Sequence, residues 1–342
     1  MSVRVGVNGF GTIGKRVAYA LLNVDKVELV GVAKRSPDYS AMQALKAGIR
    51  LYTVGEEEVK AFERAGVNVE GTLEDLLEMV DVIVDATPNG VGESYKPLYT
   101  RAGVKQVYQG GERAEVAEIS FSSLCNYKEA IGRSSVRVVS CNTTGLLRLI
   151  CTLNKEFGVE RVRAVLIRRA ADPKEVKKGP INSINLNPPT IPSHHALDVK
   201  TVIPGLDIVT AAVVVPTTLM HVHHVTVELA DKPSKDSLVE ALYRAPRVMV
   251  IESGTTGLKS TAQLIDAARE VRRRADIPEL VVFRDSITVD GREVMLFQAV
   301  HQESIVVPEN VDAIKAISGL MEDDALAIES TDRELGLTKS LY

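Results

Sequence analysis

The chain has 342 residues, of which 45% are hydrophobic and 25% are charged, and its formal net charge is −4. This length predicts two domains, and the charge does not favour a nucleic-acid-binding protein. Because the apolar runs are far shorter than the roughly 20 residues of a membrane span, and the N-terminus enters a strand pattern without signal-peptide features, we expect a cytoplasmic protein with no membrane partner.

A β-branched strand at residues 3–7 leads into the glycine-rich sequence GFGTIG and then into a helical pattern. Strand, glycine-rich turn and helix in this order predict a dinucleotide-binding site of the Rossmann type. Gly9 allows the tight turn, Gly11 lets the backbone approach a pyrophosphate, and Gly14 lets the helix pack against the strand. The pyrophosphate would bind at the positive end of the helix dipole.

The second predicted strand, at residues 27–34, ends in Lys34 and Arg35, where an NAD-selective site usually carries an acidic residue. Two cations attract a 2′-phosphate that a carboxylate would repel. The sequence therefore predicts that NADP binds at least as well as NAD. A solvated pair of loop residues is the alternative interpretation.

Further α/β elements follow: a predicted helix at 70–80 and predicted buried strands at 81–92 and 104–112. Each strand segment includes a loop of turn-forming residues at its carboxyl end, where ligands of parallel sheets collect. We therefore expect the wall of the cofactor site to include Thr87, Pro88, Gly110 and Gly111.

Cys141 is the candidate nucleophile. It lies between a predicted strand at 136–140 and a helical pattern at 143–158. A helix N-terminus stabilises a thiolate, so we expect a lowered pKa for this cysteine. Asn142, Thr143 and Thr144 could cap the helix and donate hydrogen bonds to an oxyanion.

A thiol nucleophile needs an acid/base group, and residues 220–230 form a strand with alternating histidines. His221 stands at the start of the strand beside Thr217 and Thr218, where a cleft could form. His223 lies on the same apolar face and is predicted to be a core histidine, whereas His224 faces solvent. No carboxylate or cysteine has a ligand spacing nearby, so the pattern does not favour a metal site.

Two polar segments suggest a phosphorylated substrate. Arg168 and Arg169 end an apolar strand, and residues 190–198 supply Ser193, His194 and His195. Cations and hydroxyls that converge on one cleft are suited to bind phosphate.

Cys125 and Cys151 are the other two cysteines. A reducing cytosol favours two buried thiols. A disulfide between them is the alternative, because intracellular proteins of hyperthermophiles are an exception and the chain has no Trp and many ion-pairing residues.

Taken together, these motifs resemble the glyceraldehyde-3-phosphate dehydrogenase family in its archaeal form, nearly end to end. The similar segments are NGFGTIGKRVA, VDATPNGVG, QGGERAE, VVSCNTTGL, RRAADPKEVKKGPIN, IPSHH, VPTTLMHVH and AVHQESIVVPEN. The bacterial and eukaryotic form carries a signature close to SCTTNC, which matches less well because Asn142 precedes the threonines here.

The resemblance implies a homotetramer with an α/β fold. It implies a Rossmann dinucleotide-binding domain at residues 1–140 and an α+β catalytic domain with a largely antiparallel sheet at 141–302. A C-terminal helical segment at 303–342 would return to the first domain.

The resemblance also implies residue roles: Cys141 as nucleophile and His221 as the acid/base group that accepts the thiol proton. Thr12 and Ile13 would approach the cofactor phosphates, Gly110 or Gly111 would line the cofactor pocket, and Arg169 and Gln302 would lie near the cofactor. The expected substrate and phosphate site comprises Ser140, Asn142, Thr143, Arg168, His194, His195, Ala196 and Thr217. Many relatives have HHG where this chain has HHA, which weakens the expectation of a backbone contact at Ala196.

The implied reaction is the oxidation of D-glyceraldehyde 3-phosphate with inorganic phosphate to 1,3-bisphosphoglycerate. NADP or NAD would accept the hydride, and the reaction would pass through a Cys141 thioester, in glycolysis or gluconeogenesis. Aspartate-semialdehyde dehydrogenase, which shares the layout, is one alternative. A non-catalytic NADP-binding sensor is the other.

Overall fold

The structure is a computed structural model that describes residues 2–175 and 177–342. The chain divides into two compact units. Unit 1 runs up to Val139 and includes Val307–Leu335, and unit 2 comprises Ser140–Val306 and Gly336–Tyr342.

The first part of unit 1 alternates short apolar strands with helices, as expected for strands that are covered on both faces. The strands are β1 (Val3–Asn8), β2 (Val27–Lys34), β3 (Leu51–Thr53), β4 (Gly71–Thr72), β5 (Val82–Asp85), β6 (Lys105–Gln109), β7 (Ile119–Phe121) and β8 (Ser135–Val138). The helices are α1 (Thr12–Leu21), α2 (Tyr39–Lys46), α3 (Glu56–Arg64), α4 (Leu73–Leu77), α5 (Gly92–Ala102) and α6 (Ser123–Asn126).

These strands form one parallel sheet in the order β4-β3-β2-β1-β5-β6-β8-β7. The chain moves outward from β1 to β4 and then returns to place β5 on the other side of β1. This reversal is where open parallel sheets bind ligands, at the carboxyl ends of the strands. The loop after β1 therefore lies at the expected position for a dinucleotide.

The predicted helix at 70–80 is shorter in the structure, because its first residues belong to β4 and the helix spans only Leu73–Leu77. The Asp75 carboxylate accepts the backbone N–H of Thr72 at 2.7 Å and so begins the helix there. The two predicted strands that follow end earlier than expected, at Asp85 and Gln109, and their remaining residues form loops.

Unit 2 begins with the long helix α7 (Cys141–Phe157) and is built on a second sheet. Its strands are β9 (Val159–Arg169), β10 (Asn185–Leu186), β11 (Asp207–Val215), β12 (His221–Leu229), β13 (Val248–Ile251), β14 (Leu280–Phe283), β15 (Thr288–Asp290) and β16 (Glu293–Val300). Its other helices are α8 (His194–Lys200), α9 (Lys235–Arg244), α10 (Ser253–Thr256) and α11 (Thr261–Val271).

The sheet of unit 2 has the order β10-β11-β9-β12-β16-β14-β13, with β15 beside β16. The pairs β9/β11 and β13/β14 are parallel, and the other pairs are antiparallel. The sheet is therefore mixed, and the expectation of a largely antiparallel sheet is not confirmed. Along β12, burial alternates as predicted: His221, His223 and the apolar residues beyond them are buried, and His224 is half-buried.

Helix α7 packs closely against this sheet. A methyl group on Gly145 would come within 2.5 Å of the Val300 side chain, so only glycine permits this approach. The close packing holds the first turn of α7, with Cys141, above the start of β12.

After unit 2 the chain forms α12 (Val307–Ser318) and α13 (Asp324–Glu334), which belong to unit 1. The amide of Asn310 exchanges hydrogen bonds with the Gln109 amide, and the Glu309 carboxylate accepts the backbone N–H of Ser123. Residues 336–342 instead belong to unit 2, where the Lys339 ammonium donates to the carbonyls of Ala245 and Val248.

The cysteines differ in state. Cys125 and Cys151 are disulfide-bonded, so the prediction of two buried thiols is wrong and the alternative of a disulfide is confirmed. Cys141 is free. Among the helices of the described residues, none has both the length and the apolar composition to cross a membrane.

Candidate active site

Cys141 is the first residue of α7, two residues earlier than the helical pattern predicts. The helix is capped by Ser140, whose Oγ accepts the backbone N–H of Thr143 at 3.4 Å. The expected caps at Asn142, Thr143 and Thr144 are thus replaced by the residue before the cysteine. Cys141 lies in the first turn, and the residue as a whole is half-buried.

The hydroxyl groups around Cys141 are used within the protein. Thr143 Oγ1 lies 2.5 Å from Asp198 Oδ2, and the threonine must donate because a carboxylate only accepts. Ser140 Oγ, 2.9 Å from Thr143 Oγ1, must then donate to it. These bonds tie α7 to α8, so Ser140 and Thr143 position the cysteine and their hydroxyl protons are already engaged.

His221 lies beside the cysteine, with Nε2 3.6 Å from Sγ of Cys141. Its other ring nitrogen, Nδ1, accepts the backbone N–H of Arg169 at 3.0 Å. A backbone N–H can only donate, so the neutral ring carries its proton on Nε2. Burial, with Arg169 next in effect, holds the pKa of His221 well below its ordinary value. The imidazole is therefore neutral and donates toward Sγ, which does not favour the expected acceptance of the thiol proton.

The thiol of Cys141 is also neutral. Burial raises its pKa above the ordinary value, against the opposing effects of Arg169, Arg168 and the Asn142 backbone N–H. The prediction of a lowered pKa is wrong, because desolvation of the thiolate outweighs the two arginines and the Asn142 backbone N–H. The resting pair is a thiol and an imidazole rather than a thiolate and an imidazolium.

The backbone just before His221 is strained. Met220 is buried and adopts a φ of 58°, a left-handed conformation that is unfavourable for a side chain of this size. Such strain costs about 1–3 kcal/mol and is concentrated at functional sites. Here it turns the chain into β12 so that His221 faces α7.

Arg168 and Arg169 end β9 next to this pair, as predicted. Arg168 donates to the Asn187 side chain at 2.5 Å, and Arg169 forms an ion pair with Asp172 at 2.7 Å. The Nε–H groups of both arginines are buried and have no partner in the described part of the chain. Burial lowers the pKa of Arg168, so its charge is poorly solvated and an anion would stabilise it.

His194 and His195 open α8, and their rings lie 3.9 Å apart. Burial lowers the pKa of His195 to about 2, so it is a neutral group whose Nδ1 pairs with Ser193 Oγ at 3.1 Å. The backbone N–H of Ala196 donates to Thr210 within the protein, so it is not available as a substrate contact. Thr217 is half-buried, and its hydroxyl oxygen accepts the N–H of Leu219.

In unit 1 the loop after β1 fits a dinucleotide. Gly9 has a φ of +100°, and a methyl group on Gly14 would come within 1.8 Å of the Gly9 carbonyl oxygen. In front of Gly11, by contrast, no atom lies within 4 Å of the position of a methyl group. Helix α1 then begins with Thr12 and Ile13, with no side-chain cap and no acidic residue in its first turn. An anion at this end of the helix would meet donors and no repelling carboxylate.

Lys34 and Arg35 stand at the end of β2, as predicted, but both are paired. The Lys34 ammonium lies 3.0 Å from the Asp38 carboxylate, which caps α2, and the exposed Arg35 lies 3.8 Å from Glu58. Asp38 was not among the predicted site residues. Its position before a helical pattern was a capping signal that could have identified it.

The loops after β5 and β6 are bound to each other. Glu112 accepts the backbone N–H groups of Gly90, Gly92 and Glu93, so an internal carboxylate occupies the anion position of this second loop. Thr87 donates both its N–H and its hydroxyl to Asp85. The loop after β1 is therefore the one suited to a pyrophosphate, and Thr87 is suited to a wall.

Gly110 and Gly111 follow β6 at the same edge of the sheet. A methyl group on Gly111 would come within 1.5 Å of the end of the Asn89 side chain, which would have to move away. That Gly110 or Gly111 lines the cofactor pocket stays a prediction.

Comparison with known proteins shows which families and relatives the chain is similar to. Residues 140–297 match the model of the glyceraldehyde 3-phosphate dehydrogenase C-terminal domain, and residues 3–120 match the model of the dihydrodipicolinate reductase N-terminus. The chain is 66% identical to a glyceraldehyde-3-phosphate dehydrogenase of Aeropyrum pernix, with 99% of both chains covered. Identity is 57% to that of Hyperthermus butylicus and 54% to that of Sulfurisphaera tokodaii, each over 98% of both chains.

The chain belongs to the glyceraldehyde-3-phosphate dehydrogenase family. This membership confirms the predicted resemblance to the archaeal form, the oxidoreductase class and the use of NAD(P). These relatives are not named as aspartate-semialdehyde dehydrogenases or as non-catalytic sensors.

For a member of this family, Gln302 was expected near the cofactor. It lies in unit 2, where its Nε2 donates to the Thr218 carbonyl at 3.4 Å. Its Oε1 is buried with no partner among the residues that the structure covers, and the side chain lines a cavity of about 400 Å³. A donor on a ligand would satisfy this oxygen.

His301, Asp276 and Glu303 also lie within ligand distance of one another. However, His301 Nδ1 accepts the backbone N–H of Ile277 at 3.2 Å, which leaves the proton on Nε2. A metal ligand needs a free nitrogen lone pair, so this cluster does not fit a metal ion in its present tautomer.

Sequence reasoning missed several partners of the predicted residues: Asp198, Asn187 and Gln298. Each is brought to the site by the fold from a distant part of the chain, and no local pattern marks it. His223, predicted as a core histidine, is fully buried with both ring nitrogens paired, to Asn142 at 2.9 Å and to Gln298 at 3.1 Å.

Proposed function

We propose that the chain oxidises D-glyceraldehyde 3-phosphate with inorganic phosphate to 1,3-bisphosphoglycerate, with NADP or NAD as hydride acceptor, in glycolysis or gluconeogenesis. The observation that carries the proposal is the contact of 3.6 Å between Cys141 Sγ and His221 Nε2, next to Arg168 and Arg169. A nucleophile, an oxyanion donor and two cations are the groups that this reaction needs.

Cys141 acts as the nucleophile. Its thiol first loses a proton to solvent, and Sγ then adds to the aldehyde carbon to form a thiohemiacetal whose oxygen carries the negative charge. His221 Nε2–H donates a hydrogen bond to that oxygen and stabilises it. This assignment follows from the bond between Arg169 N–H and His221 Nδ1, which keeps the proton on Nε2.

NAD(P), when bound, would supply the acceptor for the hydride that leaves the substrate carbon. The residues suited to hold it are Gly9, Gly11, Thr12, Ile13 and Gly14, with Lys34 near the 2′-phosphate of NADP. On loss of the hydride the carbon–oxygen double bond forms again, which leaves a thioester on Cys141.

Inorganic phosphate then attacks the thioester carbon, the carbon–sulfur bond breaks, and the Cys141 thiolate leaves. The orphaned Nε–H groups of Arg168 and Arg169 support binding of phosphate groups near the sulfur. We assign His194, His195 and Thr217 to the wall of this site. Ser140 and Thr143 hold the first turn of α7, and residue 196 contributes packing.

We further propose that unit 1 is the dinucleotide-binding domain, that unit 2 is the catalytic domain, and that the protein is a cytoplasmic homotetramer. Support for assembly comes from a segment of unit 2 that exposes apolar side chains. Ile181, Ile184, Leu186, Ile191 and Leu197 are between 63% and 85% exposed. An apolar patch of this kind favours contact with another subunit. Light scattering coupled to size exclusion reports the subunit number directly.

The activity is tested by following NADP reduction with D-glyceraldehyde 3-phosphate, with and without inorganic phosphate. We expect turnover that needs phosphate and falls by more than about a thousandfold in Cys141→Ser. The reason is that a serine hydroxyl is a weak nucleophile and His221 Nε2 already carries a proton, so no base can activate it. The matched control is His224→Gln on the other face of β12.

Near-normal turnover of Cys141→Ser would overturn the thioester mechanism. Turnover with aspartate semialdehyde in place of glyceraldehyde 3-phosphate would keep the mechanism and change the substrate. NADP binding without turnover on either substrate would support the sensor instead.

A further inference from the structure

Three buried polar side chains form a chain of hydrogen bonds behind Cys141, and the reaction above does not use them. Gln298 and His223 are cross-strand partners on β16 and β12. Asn142 follows Cys141 on α7. Each is at most 2% exposed. We call these three residues the amide relay.

Every hydrogen bond in the amide relay has only one possible direction. The Gly145 carbonyl cannot donate, so the group that lies 3.2 Å from it is the Gln298 NH₂. The same NH₂ lies 3.1 Å from His223 Nδ1 and donates its second proton there. His223 therefore carries its proton on Nε2 and donates it to Asn142 Oδ1, 2.9 Å away.

The arrangement has a cost that packing alone does not explain. Gln298 Oε1 is buried with no partner in the described residues. An orphaned buried acceptor is unfavourable and calls for an explanation. Turning the Gln298 amide over does not remove the cost, because Oε1 would then face the Gly145 carbonyl. The backbone carbonyl of α7 thus sets the direction of the whole relay.

We propose that His223 is a positioning residue that holds the Asn142 side-chain amide with its Nδ2 donors turned toward the substrate oxygen at Cys141. The proposal deepens the proposed function and rests on it. With Oδ1 bonded to His223, the N–H groups lie on the other arm of the amide. Asn142 adjoins the nucleophile, so such a donor is suited to stabilise the oxygen that becomes negative when Cys141 adds to the carbonyl.

His223 acts by orientation rather than by proton transfer. Burial lowers its pKa to about 3, so the ring is neutral at pH 7, with its proton on Nε2. A charged ring would donate from both nitrogens and would repel the Gln298 NH₂. The relay therefore predicts that removal of His223 changes kcat without moving the pH profile.

The test is a double-mutant cycle on His223→Asn and Asn142→Ala, because asparagine at 223 is too short to reach Asn142. We expect His223→Asn to lower kcat by about 10- to 100-fold, somewhat less than the loss of a whole oxyanion donor, while KM for glyceraldehyde 3-phosphate changes less than about twofold. In the Asn142→Ala background the same substitution should have almost no further effect on kcat, since the group it acts through is gone.

Two further variants separate orientation from structure. His223→Gln places an amide nitrogen near the former Nε2, and we expect it to restore most of kcat. His224→Gln changes the neighbouring histidine outside the relay and should resemble the wild type. Multiplicative losses in the cycle, no advantage of Gln over Asn at 223, or a shifted pH profile would each overturn the proposal.

A readout that does not need turnover keeps this inference separate from the proposed function. The ¹⁵N resonances of the His223 ring report which nitrogen carries the proton, and His223→Gln identifies the signal by its loss. We expect a proton on Nε2 and none on Nδ1. A proton on Nδ1 would overturn the relay even in an active enzyme, whereas a wild type that lacks phosphate-dependent turnover would overturn the proposed function.

Discussion

The two candidate sites of the molecule are built in different ways. The dinucleotide loop of unit 1 is made mainly of backbone within six consecutive residues, from Gly9 to Gly14. The Cys141 site of unit 2 is made of side chains from α7, α8, β9, β12 and β16. Glycines that permit close approach define the first site, and hydrogen bonds that fix protons define the second.

This difference decides what each site can tolerate. A backbone site is sensitive to added volume and has few ionisable groups that alter its function. A side-chain site in a buried region depends on which groups are charged, because a buried charge without a partner is unfavourable. We therefore expect the loop of unit 1 to be disrupted by side chains that add volume. We expect the Cys141 site of unit 2 to be disrupted by changes in protonation.

The first prediction concerns added volume in the glycine-rich loop of unit 1. Gly14→Ala should destabilise unit 1 by about 3 kcal/mol, because its methyl group would meet the Gly9 carbonyl oxygen at 1.8 Å and the backbone must move. Gly11→Ala is the matched control, since its methyl group meets no protein atom within 4 Å. Its stability should change by less than about 0.5 kcal/mol.

Thermal unfolding together with KM for NADP separates the two glycines. We expect Gly11→Ala to keep the unfolding temperature of the wild type and to raise KM, because the methyl group would stand where a pyrophosphate binds. Equal unfolding temperatures for Gly14→Ala and Gly11→Ala would contradict the steric account.

How far the sequence alone could reach follows from the same difference. The GFGTIG loop, Cys141 at a helix start and the alternation of His221 and His223 are local patterns, and the structure has each of them at the predicted place. The direction of the Cys141 pKa was predicted wrongly, because the local pattern does not show that the fold buries the thiol.

The sequence could not predict which ring nitrogen of His221 and His223 carries the proton. The tautomer of His221 depends on a backbone N–H of β9, and that of His223 depends on Gln298, 75 residues away in the chain. No spacing rule connects such residues. The disulfide state of Cys125 and Cys151 was also undecidable from composition, since both alternatives agreed with it.

The second prediction concerns the loss of stability that follows protonation of His223 in unit 2. His223 has a pKa of about 3 in the folded protein against 6.5 for an ordinary histidine, so the unfolded chain takes up the proton first as pH falls. The stability contributed by the neutral ring is complete above pH 6.5 and is lost between there and about pH 3. At pH 5 the loss is about 2 kcal/mol.

Guanidinium unfolding at pH 7 and pH 5 measures this loss. His223→Gln cannot take up the proton, so its stability should fall by about 2 kcal/mol less than that of the wild type between the two pH values. His224→Gln should keep the steep dependence because His223 is still present. If the free energy of unfolding fell equally for wild type and His223→Gln between pH 7 and pH 5, protonation of His223 would not be the cause of the loss.

The last prediction concerns Lys34, a side chain at a site that is otherwise built mainly of backbone. Lys34→Ala should weaken NADP binding about tenfold, the value of one charge-assisted hydrogen bond, and should change NAD binding less than about twofold. Asp38→Asn is the opposite control, since it removes the carboxylate that lies 3.0 Å from the Lys34 ammonium and should strengthen NADP binding. Isothermal titration calorimetry with NADP and with NAD gives both dissociation constants. If Lys34→Ala weakened the binding of NADP and of NAD equally, the lysine would act only by supporting the loop through Asp38. Unit 1 would then bind its cofactor through backbone groups alone.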